Sequence, residues 1–148
     1  MARHLRLLGF YFWILGLFTI GRWTLSFMGA DYAKSTHIFS LVILSMTASA
    51  HHAAFARAFS DYKLKDALAL GAMIGLITQL VIFFSTLVSY LFGMTTFWNT
   101  PAALNQTTDV PFAAAMTARA GTLVVNTILN TVAAAIGYAM GAGLKSAK

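Results

Sequence analysis

ALALGAMIGLITQLVIFFSTLVSYLF, residues 67–92, contains no charged side chain, and its apolar run is broken only by single small or polar residues. A helix crosses about 30 Å of hydrocarbon with roughly 20 mostly apolar residues. This stretch meets that requirement with residues to spare. Three others have the same character: residues 7–28, beginning LLGFYFWILGLFTIG; residues 36–59, through HIFSLVILSMTASAHHAAFARAF; and residues 118–144. Short polar links join the first three spans, and a longer segment, 93–111, precedes the fourth. The expected fold is an all-α integral membrane protein. It is a four-transmembrane-helix antiparallel bundle forming a single domain over residues 1–148.

Composition supports the membrane reading and narrows the chemistry. Charged residues make up 9% of the chain and the mean hydropathy is +0.74, whereas roughly a quarter of a soluble domain is charged. There is no cysteine, and the four acids are Asp31, Asp61, Asp66 and Asp109, with no glutamate. Thiol chemistry, disulfides and cysteine-based metal sites are excluded. Most carboxylate chemistry is disfavoured too. No two carboxylates share a span, so neither catalysis nor proton-coupled export is expected, and the chain reads as not an enzyme.

Orientation follows from counting basic residues by side. With the N-terminus in the cytoplasm, Arg3, Arg6, Arg57, Lys63, Lys65, Lys145 and Lys148 are inside, and only Arg22, Lys34 and Arg119 lie toward the far side. Both termini are then cytoplasmic, in a plasma or inner membrane. The first span resembles a signal peptide in its flanking arginines, but its apolar run is long and no A-x-A site follows, so it is read as retained. Trp23, Tyr32, Tyr90, Phe97 and Trp98 mark the outer interface; Tyr11, Trp13, Phe59, Tyr62 and Tyr138 mark the inner one. The net charge of +6 suits anionic lipid headgroups and requires no nucleic acid.

Small residues hold membrane helices together. Gly71 and Gly75 form a GxxxG in the third span, Gly137 and Gly141 another in the fourth, at similar depth. Ser49 and His52 lie on a small-residue face of the second span. These stripes are expected to make tight contacts, within the bundle or between copies.

Ionisable and amide groups inside a span call for an explanation. Arg22 lies about 24 Å along the helix from Arg6, near the expected depth of Ser45, Gln79, Asn126 and Asn130. One reading is a polar cluster binding an anionic or carbonyl-bearing ligand, a lipid headgroup or a quinone. The other is that Arg22 snorkels to the outer headgroups while the amides bridge helices. Arg119 is either an interfacial anchor near Asp109 or Asp31, or the second half of an anion entrance framed with Arg22. His51 and His52 are adjacent and point about 100° apart, so they do not sandwich one iron. No cofactor is expected within the chain, although one of them leaves open a haem or chlorin shared with another subunit.

Segment 93–111 reads as a docking loop for a partner, held on the membrane surface by Phe97 and Trp98. Asn105-Gln106-Thr107 is a formal glycosylation sequon. The leading functional expectation is a non-catalytic accessory or structural subunit of a larger membrane complex. Its partners would be membrane lipids and other subunits or copies of itself. The alternatives are an oligomeric anion or small-solute pore, and a lipid- or quinone-binding protein using Arg22.

Overall fold

A computed structural model describes His4 and residues 7–146, the side chains of 145 and 146 excepted. Arg3, Arg6 and Lys148, and the side chain of Lys145, fall outside it. The described chain is all-helical, without strands: α1 Gly9–Phe27, α2 Tyr32–Ser35, α3 Leu41–Phe59, α4 Leu64–Leu91, a 3-10 turn at Pro101–Leu104, and α5 Phe112–Ser146. Two of these, α4 over Leu64–Leu91 and α5 over Phe112–Leu144, are long and apolar enough to cross a membrane. The 19-residue α1 and α3 are each about 28 Å long. Arg22 and Thr24 dilute the apolar character of α1, as His51, His52 and Arg57 dilute that of α3.

Local chemistry sets the boundaries. After α1, Gly29 adopts φ 71, and Ala30 N–H reaches back to Leu25 O at 3.1 Å. The same left-handed glycine closes α4: Gly93 has φ 62 and Met94 N–H donates to Ser89 O at 2.9 Å. Glycine holds this conformation without the Cβ penalty that other residues carry there. Asp31 caps α2, accepting from Ala33 N–H at 2.8 Å, and Lys63 N–H donates to Asp66 Oδ2 at 2.9 Å at the start of α4.

Two ends of the expected spans differ. The span beginning at 36 enters its helix only at Leu41, because Ser40 is the N-cap and Phe39 has φ 51. The span beginning at 118 starts earlier, at Phe112, directly after Pro111. The alanine-rich turns from 113 are good helix formers that an apolar-run criterion passes over.

Packing centres on α3, α4 and α5, while α1 makes far fewer contacts with the rest. The two GxxxG motifs do not meet each other. A Cβ on Gly71 would lie 2.5 Å from Ala134 Cβ and one on Gly75 would lie 2.8 Å from Asn130 Cβ, so these glycines bring α4 against α5. Gly137 and Gly141 press on the backbone of Ala50 and Ala54, bringing α5 against α3. α5 therefore has two tight faces. α1 is fixed by its own polar contact: Tyr11, fully buried, hydrogen-bonds the Thr78 hydroxyl of α4. Tyr11 belongs to the interior and not to an interfacial belt.

Candidate functional site

The end of the bundle that carries 28–40 and 92–111 is built around two arginines. Arg22, 7% exposed on α1, reaches toward the chain between α2 and α3. Its Nη1 donates to Ser35 O at 3.0 Å, Thr36 O at 3.3 Å and Ile38 O at 2.9 Å. Those carbonyls are presented where α2 stops and the chain turns into α3. The guanidinium lies 5.0 Å from the ring centroids of both Tyr32 and Phe97. Arg119, two turns into α5, donates from Nε to Thr86 Oγ1 at 3.0 Å and from Nη2 to Trp98 O at 2.7 Å. Both arginines line one cavity of about 330 Å³. Its lining also includes Tyr32, His37 and Ser40 together with Leu41, Ile82 and Trp98.

Segment 93–111 shapes this end by folding inward. Thr96, Phe97, Trp98 and Leu104 are buried. Thr96 hydrogen-bonds Ser89 at 2.7 Å, and Trp98 O also accepts from Thr86 Oγ1 at 3.1 Å. Phe97 N–H donates to Ser26 Oγ of α1 at 3.0 Å. Phe97 and Trp98 therefore pack beneath the segment and do not lie flat on a membrane surface. A tryptophan and a phenylalanine bury more area against α1 and α4 than a surface position would give them. Asn105 is exposed at the tip, in the left-handed conformation with φ 56.

The polar residues expected to gather at one depth do not form one hydrogen-bonded cluster. Arg22 shares no hydrogen bond with the amides. Ser45 Oγ donates within its own helix to Val42 O at 2.9 Å. Ser49 Oγ donates to Asn130 Oδ1 at 2.8 Å, joining α3 to α5, and Asn130 Nδ2 returns to Asn126 O at 2.8 Å. Asn126 is half-buried. Gln79 is buried with Nε2 lacking a partner among the described residues. The carboxylates are elsewhere as well: Asp31 caps α2, and Asp109 lines a different depression with Gln106 and Thr108.

At the opposite end, Arg57 Nη1 donates to Tyr138 O at 2.8 Å, with its guanidinium 4.3 Å from the Tyr138 ring centroid. His4 and Tyr62 are hydrogen-bonded at 3.1 Å. His51 and His52 have ring centroids 5.8 Å apart at 78°, side by side and not opposed across a metal. His52 Nδ1–H donates to Ala48 O at 2.8 Å. Both rings border a largely apolar groove between α1 and α3 of about 210 Å³, shared with Phe10 and Tyr11. Among the described residues no group of three or more metal-ligating side chains comes together.

Sequence reasoning singled out Arg22 and Arg119 but missed Tyr32, His37, Ser40 and Trp98 as lining residues. Tyr32 and Trp98 were read only as interfacial, and His37 and Ser40 as part of a span beginning at 36, so the aromatic and hydroxyl content of YAKSTHIFS and TTFWNT was not taken as a signal. Known protein families, curated proteins and solved structures provide no match to this chain.

Proposed function

We propose that this chain is a four-helix integral membrane bundle with both termini cytoplasmic, acting as a non-catalytic subunit of a larger membrane assembly. One observation carries the reading: the polar side chains at membrane depth are mostly engaged within the chain, while its outward faces are apolar stripes. Tyr11 is tied to Thr78, Ser49 to Asn130 and Arg119 to Thr86. Gly71, Gly75, Gly137 and Gly141 close the space between α3, α4 and α5, which argues against a solute path through a single copy. On α1, Phe10, Trp13, Leu17 and Ile20 are exposed at helical spacing, and on α5 so are Val125, Ile128, Val132 and Ile136. In water such stripes would be unfavourable by roughly 25 cal/mol per Å² of apolar area; lipid or neighbouring helices cover them. At about 28 Å, α1 and α3 also match the hydrocarbon thickness, which supports four crossings over two.

Extraction in a gentle detergent, followed by native mass spectrometry, tests the assembly role. The expected result is a complex of fixed stoichiometry containing other polypeptides. A chain recovered alone, as a monomer or a homo-oligomer, overturns it.

A further inference from the structure

We infer that the cavity framed by Arg22 and Arg119 is a binding site for a phosphate group, carried by a lipid headgroup or free in solution. The inference does not depend on the assembly role, since it concerns this chain's own cavity.

Charge balance points to an anion. Two guanidiniums line a single cavity, and the acceptors each one reaches in the protein are neutral: backbone carbonyls for Arg22, a hydroxyl and a carbonyl for Arg119. Charges withdrawn from water are ordinarily paired, because neutral dipoles offset only part of the lost solvation. All four aspartates of the chain are accounted for, and none lines this cavity. Asp31 is turned to the α2 cap, Asp109 to another depression, and Asp61 in the turn between α3 and α4 and Asp66 in the first turn of α4 lie at the opposite end of the bundle. An anion entering the cavity would supply the negative charge that none of the four aspartates brings to it.

The wall chemistry indicates which anion. The planar guanidinium fork matches the oxygens of phosphate. Tyr32, His37 and Ser40 add hydrogen-bonding groups to the lining. The buried Trp98 indole Nε1 lacks an acceptor. Leu41 and Ile82 in the lining would accept the first carbons attached to a phosphodiester. At about 330 Å³, the cavity falls at the small end of the roughly 300–1,000 Å³ range of ligand pockets, suited to a headgroup and not to a whole lipid.

The test uses the purified full chain in neutral detergent and in phosphatidylcholine nanodiscs with and without phosphatidylglycerol. Inorganic phosphate at constant ionic strength is the soluble probe. Binding is read by thermal shift and by native mass spectrometry. Saturable stabilisation by inorganic phosphate assigns the site to the free anion; stabilisation and retained adducts with phosphatidylglycerol alone assign it to the lipid. Arg119→Gln removes one charge and is expected to weaken whichever binding is seen at least tenfold. Ala103→Trp, which sets a bulky side chain at a lining position of the cavity without changing charge, should do the same and serves if Arg119→Gln does not fold. Absence of saturable binding to either probe, or binding unaltered in a folded Arg119→Gln or Ala103→Trp variant, overturns the inference.

Discussion

Ser49 of α3 donates to Asn130 Oδ1 of α5 at 2.8 Å, and both residues are completely buried. Asn130 is also the residue whose Cβ lies against Gly75 of α4. A single asparagine thus links the three most closely packed helices. Interhelical polar contacts in membranes average about 0.6 kcal/mol, up to about 1.7. Ser49→Ala and Asn130→Ala should each destabilise the bundle on this scale or above it, Asn130→Ala more because it also opens a void beside Gly75. A double-mutant cycle measured by reversible unfolding in mixed micelles should give a coupling near 1 kcal/mol. Additive effects would mean that the pair contributes nothing as a pair.

The glycines separate into two groups with opposite expectations. Gly137 faces the Ala50 carbonyl and backbone so closely that no side chain fits without moving α5 off α3, whereas Gly16 and Gly143 have nothing within 4 Å of where a Cβ would stand. Gly137→Ala should therefore destabilise by roughly 1–3 kcal/mol, as overpacking does. Gly16→Ala and Gly143→Ala should be neutral or slightly stabilising, since alanine favours helix over glycine. Thermal melts of the three variants give the comparison, and equal effects would contradict the packing.

Arg22 holds the turn between α1 and α3 through carbonyls of residues 35, 36 and 38. Arg22→Met keeps most of the stem and removes these bonds, each hydrogen bond to a charged group contributing roughly 1.5–3 kcal/mol. The expected outcome is faster limited proteolysis within residues 28–40 while the helices remain folded. An unchanged cleavage rate would show that the carbonyls do not depend on the guanidinium.

Because the chain has no cysteine, single introduced thiols report sidedness cleanly. Lys34→Cys and Asn105→Cys, at exposed positions of one end, should react with a membrane-impermeant maleimide added to intact cells. Asp61→Cys, exposed at the other end, should react only after permeabilisation. Labelling of all three from outside would defeat the four-crossing topology with cytoplasmic termini.

The glycine and arginine results also show where sequence reading reaches its limit. The spacing of Gly71 with Gly75 and of Gly137 with Gly141 identified close-approach surfaces, because a missing Cβ is visible in any sequence. Which helix each surface meets was not legible, since that depends on how three helices share one axis. Arg22 was likewise recognisable as an anomalous charge in an apolar run. Its partners lie 13 to 16 positions ahead along the chain, in a turn whose course is set by Asp31, Gly29 and Phe39 together.

Residues 67–92, apolar over most of their length and without a charge, determined from sequence alone that the chain folds as long helices with few charges to place. That inference is local: backbone groups in an apolar run must pair within the segment, and a helix does so regardless of its neighbours. The joining of Arg22 to Arg119 in one cavity, the inward folding of Phe97 and Trp98, and the separation of Arg22 from the amides were decided only by the tertiary structure. Each depends on the relative rotation of helices distant in sequence, which periodicity does not encode. Side chains with several available acceptors take the geometry that the assembled bundle leaves them.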